Sequence, residues 1–129
     1  MTVDILLDTH VFLWWDSRSP KLSDRPRKLI AAPANRVFIS AASIWEIAIK
    51  RRLGKLDFDG SPTEAVRANS FVELEISGAD AEAAGGLDWT HPDPFDRLIL
   101  AQATSRQLTI ITADEVMKRY MGVAIVAAS

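Results

Sequence analysis

Val3-Asp4-Ile5-Leu6-Leu7-Asp8 is a short apolar run that ends in a carboxylate. Its length and its apolar character are typical of a buried strand rather than a helix. Runs of similar character lie at 36–39 and 108–111, an alternating run spans 71–76, and a shorter run spans 123–126. The sequence therefore predicts five strands spread along the whole chain.

Segments with helical character lie between these candidate strands. Ser40 precedes the segment 41–52, whose apolar residues recur every three or four positions, and Gly54 stands where a helix commonly ends. Asp93-Pro94 marks another helix start, because Asp suits the N-cap and proline suits the first helical position. We also predict helices at 9–15, 20–32, 62–69, 79–84 and 115–120.

The predicted order of elements is β-α-α-β-α-α-β-α-α-β-α-β. Such alternation implies parallel strands joined by right-handed crossovers, with helices on both faces of the sheet. We therefore expect a three-layer α/β/α fold with a mainly parallel central sheet of four to five strands. No repeat or long linker divides the sequence, so we expect a single domain over residues 1–129.

The composition is that of an ordinary globular domain, with 129 residues, 48% hydrophobic and 25% charged. The absence of cysteine excludes a disulfide framework, a thiolate zinc site and a cysteine nucleophile. The net charge of −2 excludes the broad basic surface of a sequence-reading DNA-binding domain. No apolar stretch approaches the ~18–20 residues that span a bilayer, so we expect no role at a membrane.

Four acidic residues are expected at one edge of the predicted sheet. Ligands of open α/β sheets bind beyond the carboxyl ends of the strands, where Asp8 and Asp114 follow two candidate strands. Glu46 and Asp96 lie on the helices after two other strands. Converging carboxylates repel one another unless a cation lies among them, and such hard oxygen ligands suit Mg²⁺ or Mn²⁺. Acids around such ions are typical of phosphodiester hydrolysis.

Each acid also has a purely structural alternative. Asp8 and Asp114 could cap the helices that follow them. Asp96 could instead compensate the dipole of its helix, and Asp93 has a sufficient role as an N-cap. Glu46 is flanked by apolar residues, so we predict a partly buried carboxylate that needs a partner or a cation.

Four blocks of the sequence resemble, in order, the motifs of PIN-domain ribonucleases. They are Leu6-Leu7-Asp8-Thr9-His10 and the segments 40–47, 93–103 and 111–114. The start DTHVFLWW and the block DPFDR are similar to one branch of the VapC-type toxins of bacterial toxin–antitoxin pairs. The resemblance spans residues 3 to about 126. It implies a metal-dependent endoribonuclease of the bacterial cytoplasm that cleaves structured RNA, such as tRNA or rRNA, and so inhibits translation and growth.

The resemblance also implies roles for particular residues and partners. Asp8 and Asp96 match the principal metal ligands, Glu46 matches the acid that completes the site, and Asp114 matches a fourth, more variable acid. Thr112 matches a position whose hydroxyl supports the reacting water. We expect products with a 5′-phosphate and a 3′-hydroxyl. The family further implies a homodimer and a small antitoxin protein, VapB-like, that blocks the site within a larger complex.

Four further polar residues lie near these motifs. Asp93 matches an acid found in this branch only. Arg97 could contact phosphate, but a helix-surface arginine is the favoured interpretation. For His10 and His91, a surface or hydrogen-bonded role is favoured over a pH-dependent catalytic one.

Bulky aromatic residues are expected mainly in the core. The run at 11–15 is apolar on every side of a helix that should have one wet face, so we expect part of it to contact another chain. The residues concerned in the whole chain are Phe12, Trp14, Trp15, Trp45 and Trp89.

Two other functions remain open from the sequence. Asp8 ends a strand where an aspartyl-phosphate phosphotransferase or phosphatase places its nucleophile. Against this, the segment 8–10 lacks a second acid two residues on, and Lys118 lies too far from a strand end to hold the phosphoryl group. The remaining alternative is a non-catalytic PIN-like module that binds RNA or a protein.

Overall fold

A single five-stranded sheet forms the centre of the computed structural model, which describes residues 2–129. The strand order is β3-β2-β1-β4-β5, and every neighbouring pair is parallel. This confirms the predicted α/β class and the parallel sheet. The strands are β1 (Asp4–Leu7), β2 (Arg36–Ser40), β3 (Val72–Leu74), β4 (Thr109–Thr112) and β5 (Ile125–Ala127).

Helices cover both faces of this sheet, and the order of elements is the one predicted. A 3₁₀ helix, Met117–Arg119, lies between β4 and β5. The α-helices are α1 (Thr9–Asp16), α2 (Asp24–Ala31), α3 (Ala41–Arg52), α4 (Pro62–Ala68), α5 (Gly78–Gly85) and α6 (Pro94–Arg106). None of these described helices is long and apolar enough to cross a membrane.

Two hydrophobic cores lie on opposite faces of the sheet. Ile5 and Leu7 of β1 pack into the first core with Phe12 of α1. Leu6 points the other way and packs with Ile99 of α6 in the second core. Because successive residues of a strand face opposite sides, a strand buried on both faces is apolar throughout. This is why β1 forms from an apolar run without alternation.

Two predicted helices are shorter in the structure. The helix predicted at 20–32 begins only at Asp24, because Ser23 N donates to Ala128 O at 2.9 Å and ties the preceding turn to the chain after β5. The helix predicted at 115–120 is reduced to the 3₁₀ helix. There Asp114 Oδ1 accepts hydrogen bonds from Val116 N and Met117 N and holds a tight turn, although the N-cap of the 3₁₀ helix itself is Val116.

The two outer strands also differ from their predicted bounds. Only Val72–Leu74 of the run at 71–76 pairs with β2. The last strand lies at Ile125–Ala127 rather than 123–126, since Ile125 pairs with Ile110 of β4. Pairing partners, rather than local apolar character, determine where these edge strands begin and end.

The direction of strand addition reverses next to β1. The chain adds β2 and β3 on one side of β1, and then β4 and β5 on the other. The carboxyl ends of β1 and β4 are therefore the topological switch point, where open α/β sheets form their ligand sites. Asp8 directly follows β1, and Thr112 is the last residue of β4.

A buried acid away from this edge joins α5 to α6. Asp80 is 5% exposed, and its carboxylate accepts hydrogen bonds from Arg106 Nη1 at 2.9 Å and Nη2 at 3.1 Å. It also accepts from Gln102 Nε2 at 3.2 Å and from Ser77 N at 3.0 Å. The hydrogen bonds from Arg106 are the main reason that the pKa of Asp80 is lowered to about 2.

Candidate metal centre

Asp8 lies buried at the switch point, at the N-terminus of α1. Its Oδ1 accepts a hydrogen bond from Val11 N at 2.8 Å, which confirms the predicted capping role. Its Oδ2 accepts a hydrogen bond from the hydroxyl of Thr112. Burial nevertheless raises the pKa of Asp8 above its ordinary value, because these hydrogen bonds only partly offset the loss of solvation.

Asp96 of α6 and Asp114 beyond β4 approach the same imidazole. His91 Nε2 lies 2.7 Å from Asp96 Oδ2 and 3.8 Å from Asp114 Oδ2. One potential ligand atom from each of the three residues lies within 4.8 Å of the others. Burial and the charge of Asp93 raise the pKa of Asp96 to about 7, with further contributions from Asp114 and Asp8. The structure therefore brings the predicted acids of three separate elements together.

These residues fit a hard divalent cation. Among the described residues, no lysine or arginine forms an ion pair with Asp8, Asp96 or Asp114. His91 Nε2 is buried and, within the described chain, makes no hydrogen bond of acceptable geometry despite its short distance to Asp96. Repulsion among carboxylates is relieved by a cation, and carboxylate oxygens suit Mg²⁺ or Mn²⁺.

Glu46 lies beside this group, on α3, and is bonded to other partners. It is 4% exposed, as expected for a carboxylate among apolar neighbours. One carboxylate oxygen accepts a hydrogen bond from Thr9 Oγ1 at 2.6 Å, and the other is 2.5 Å from Lys50 Nζ. The predicted need for a partner is thus met by a lysine one turn along the same helix. Because Thr9 directly follows Asp8, the hydrogen bond from Thr9 to Glu46 links Glu46 to the residue next to Asp8.

Asp93 and Thr112 hold the acids in place. Asp93 Oδ1 accepts from Phe95 N at 2.9 Å and from Asp96 N at 3.3 Å, so its predicted N-cap role is confirmed. Thr112 Oγ1 accepts from Asp114 N at 3.0 Å while donating to Asp8. The hydroxyl of Thr112 therefore connects the acids that follow β1 and β4.

The sequence interpretation missed the position of His91 at the centre of this group. His91 belongs to the irregular loop before α6, and its place depends on Arg97. The Arg97 guanidinium donates to backbone carbonyls of that loop and of the end of α5, so the interpretation of Arg97 as a helix-surface arginine is wrong. Its donors are used by the backbone rather than by phosphate. The acceptors are the carbonyl oxygens of Trp89 at 2.6 Å, Ala84 at 2.9 Å, Leu87 at 3.0 Å, Gly85 at 3.3 Å and His91 at 3.4 Å.

A partial signal for His91 was present in the sequence. It lies two residues before the N-cap Asp93, and residues just before a helix start are held near its first turn. No periodic pattern covers this loop, and the hydrogen bonds that close it come from a residue downstream. His10, by contrast, is exposed, in agreement with the favoured prediction.

The aromatic residues follow the core prediction with one exception. Trp45 is 54% exposed, because position 45 faces outward on α3 while its neighbours Glu46 and Ile47 face inward. The core prediction is therefore wrong for Trp45. Phe12 is fully buried, and the partly buried tryptophans are Trp14, Trp15 and Trp89.

Several solved structures share this fold. A toxin–antitoxin complex from Klebsiella pneumoniae matches with 22% identity and a TM-score of 0.66, over 97% of this chain and 98% of that chain. VapBC2 from Rickettsia felis, bound to a DNA fragment from its promoter, matches with 16% identity and a TM-score of 0.65, over 98% and 100% of the two chains. VapC20 from Mycobacterium tuberculosis, a toxin that cleaves the sarcin–ricin loop, matches with 14% identity and a TM-score of 0.56, over 93% and 98%.

Sequence comparison points to the same architecture. No curated protein matches this sequence significantly. The profile of the PIN domain matches residues 5–122, which include all four blocks of acids described above. The chain therefore belongs to the PIN domain family.

Proposed function

We propose that this protein is a divalent-metal-dependent endoribonuclease and the toxin of a toxin–antitoxin pair. The observation that carries the proposal is the convergence of Asp96 and Asp114 on His91 at the switch point, with Asp8 close enough to raise the pKa of Asp96. Burial and neighbouring carboxylates raise the pKa values of Asp8 and Asp96, and perturbed acids of this kind are typical of functional sites. The toxin–antitoxin complexes with the same fold support the biological role.

In this proposal, four acidic residues of this chain hold the ion, and Thr112 positions two of them. Asp8 and Asp96 are the principal ligands of Mg²⁺ or Mn²⁺, and Asp114 and Glu46 complete the acidic set. When bound, such an ion supplies activation of water and neutralisation of the charge on a phosphodiester. Thr112 orients Asp8 through its hydroxyl and positions Asp114 through the backbone.

The net charge of −2 is compatible with an RNA substrate. Four of the seventeen acidic residues belong to the proposed site, which leaves fifteen basic against thirteen other acidic residues. A divalent cation reverses the sign of the local field at the acids. An acidic protein can therefore hold a polyanion at this edge of the sheet.

A groove beside α1 supports the proposal of an antitoxin partner. The groove has a volume of about 460 Å³, and its apolar part includes Leu13 and Trp14 of the run at 11–15. Its acidic residues are Asp16, Asp57 and Asp59. We expect a basic, amphipathic antitoxin segment to bind there, and the toxin to form a homodimer.

The proposed activity is tested with purified protein and structured RNA. We expect cleavage of tRNA or rRNA in Mg²⁺ or Mn²⁺, no cleavage in EDTA, and products whose 5′-phosphate makes them sensitive to a 5′-phosphate-dependent exonuclease. Asp8→Asn should abolish cleavage, whereas Asp24→Asn, which changes an exposed acid of α2, should not. Full activity of Asp8→Asn, or undiminished activity in EDTA, would overturn the proposal.

A further inference from the structure

One exposed aromatic ring lies next to the acids of the candidate metal centre. Trp45 is 54% exposed and immediately precedes the buried Glu46 on α3. Large aromatic side chains usually bury most of their surface in a folded chain. The other tryptophans of the described chain are all partly buried.

The exposed ring is held by a second aromatic residue from the other side of the site. Phe95 of α6 meets Trp45 edge to face, with ring centroids 5.1 Å apart and an interplanar angle of 76°. Phe95 immediately precedes Asp96, and Asp93 fixes its backbone N–H. The aromatic pair therefore joins the two helices that carry Glu46 and Asp96, and the ring of Trp45 is pre-oriented without being covered.

The exposed face of α3 that carries Trp45 also carries the positively charged Arg52. Trp45, Ala48 and Arg52 are all exposed and follow one another at helical spacing. Seven residues of helix place Arg52 roughly 10 Å from Trp45 along the axis. Within the described chain, the Arg52 side chain forms no hydrogen bond or ion pair, whereas Lys50 and Arg51 on the adjacent face are used by Glu46 and by backbone carbonyls.

We propose that Trp45 is a stacking site for one unpaired base of the RNA substrate, with Arg52 holding a neighbouring phosphate. This inference rests on the proposed ribonuclease function and adds a binding site to it. Aromatic rings that stack on bases, beside cations that follow the backbone, are the usual means of holding single-stranded RNA. A base stacked on Trp45 would lie next to the acids of the proposed site. Its position would therefore determine which phosphate of the RNA reaches those acids.

The charge and the size of this surface favour RNA over a second copy of the chain. A tryptophan buries at most about 250 Å². A stable protein interface needs about 800 Å² from each partner. The exposed part of Trp45 supplies a small fraction of that area. Arg52 complements a phosphate, and no acidic side chain shares the exposed face of α3 with it.

The test measures RNA affinity without cleavage. In the Asp96→Asn background with EDTA, fluorescence anisotropy follows the binding of a labelled single-stranded RNA of about 12 nucleotides, within the span that one domain covers. A second RNA carries abasic units in place of its nucleotides. Trp45→Ala should weaken binding of the normal RNA by about 5- to 100-fold and leave binding of the abasic RNA unchanged. Trp45→Phe should retain most of the affinity.

Two further variants separate stacking from other effects. Arg52→Ala should weaken binding of both RNAs and lower the slope of log affinity against log salt by about one. Val72→Ala removes an exposed apolar side chain from the edge strand β3 and should change neither affinity. Light scattering of each variant gives its oligomeric state in the same buffer.

Three results would overturn the stacking site. They are an unchanged affinity of Trp45→Ala for the normal RNA, an equal loss on both RNAs, or a loss of oligomer that accounts for the whole change. The last result would identify a second copy of the chain as the occupant. Because this assay needs no cleavage, its failure is distinct from a failure of the proposed nuclease activity, which the cleavage of RNA by the wild-type protein tests separately.

Discussion

Asp80 and Asp96 are both largely buried, yet their environments differ completely. Asp80 is surrounded by donors from Arg106, Gln102 and Ser77, and its pKa is lowered to about 2. Asp96 lies near other carboxylates, with His91 Nε2 2.7 Å from its Oδ2, and burial together with the charge of Asp93 raises its pKa to about 7. The first carboxylate is paired with an arginine, whereas no lysine or arginine of the described chain pairs with the second.

This difference separates an acid that stabilises the fold from an acid that serves a site. The charged form of Asp80 gains more from its donors than it loses in solvation, which is why its pKa is lowered. A buried charge among like charges destabilises the fold unless a bound ligand offsets the repulsion. Such groups are typical of functional sites. The same substitution at the two positions should therefore have opposite consequences.

The largest expected effect is on catalysis, in Asp96→Asn. Cleavage of RNA should fall by at least about 100-fold, because even the partners of metal ligands commonly contribute 10- to 100-fold. The melting temperature should be equal to or higher than that of the wild type, since a repelling charge is removed. Initial rates of cleavage and thermal melts of the same preparation measure both quantities. An Asp96→Asn variant with wild-type rates would place the site elsewhere.

The next effect is a gain in stability from the cation. At a Mg²⁺ or Mn²⁺ concentration 100 times its dissociation constant, the free energy of unfolding should rise by about 2.7 kcal/mol. The gain should be present in the wild type and in Asp80→Asn, and absent in Asp96→Asn. Melts with and without EDTA measure it. A gain of the same size in Asp96→Asn would mean that the ion binds outside the acid cluster.

The third effect is a loss of stability in Asp80→Asn. The lowered pKa of Asp80 corresponds to a loss of about 2 kcal/mol when its charge is removed. Arg106 would then lack its partner between α5 and α6. Denaturant unfolding measures the loss, and cleavage below the melting transition should stay near the wild-type rate. Wild-type stability of this variant would show that the hydrogen bonds of Asp80 contribute little.

The smallest effect is the acid dependence of stability. The folded-state pKa of Asp80 is about 2, below its ordinary value of 3.8, so its stabilisation is complete above about pH 4 and is lost as the pH falls toward 2. Proton linkage at Asp80 gives a loss of about 1 kcal/mol in the free energy of unfolding between about pH 6 and pH 3. Urea unfolding at several pH values should show this loss in the wild type and a smaller one in Asp80→Asn. If the free energies of unfolding of the wild type and of Asp80→Asn changed with pH in parallel, a contribution of Asp80 to the acid dependence would be excluded.

The sequence predicted the parts of the site that follow from strand order. Asp8 and Asp114 come after neighbouring parallel strands, and parallel strands end at a common edge. Asp96 was predicted because Asp93 and Pro94 mark the start of its helix. In each case, a local pattern together with one rule of topology was sufficient.

The parts that the sequence did not predict depend on distant contacts. His91 reaches the acids because the Arg97 guanidinium holds three carbonyls of an irregular loop and two at the end of α5, and no local pattern encodes that arrangement. The network around Asp80 requires α5 to pack on α6. The exposure of Trp45 depends on which side of α3 the sheet covers. Packing, rather than propensity, determines each of these features.

Calorimetric titration of Mn²⁺ into the metal-free protein measures the affinity of the proposed cation site without reference to any RNA. We predict saturable binding to the wild type and to Asp80→Asn with similar affinities, and binding at least about 10-fold weaker to Asp96→Asn. Equal Mn²⁺ affinity in all three proteins, or no binding to the wild type, would contradict the assignment of the converging acids as a metal centre.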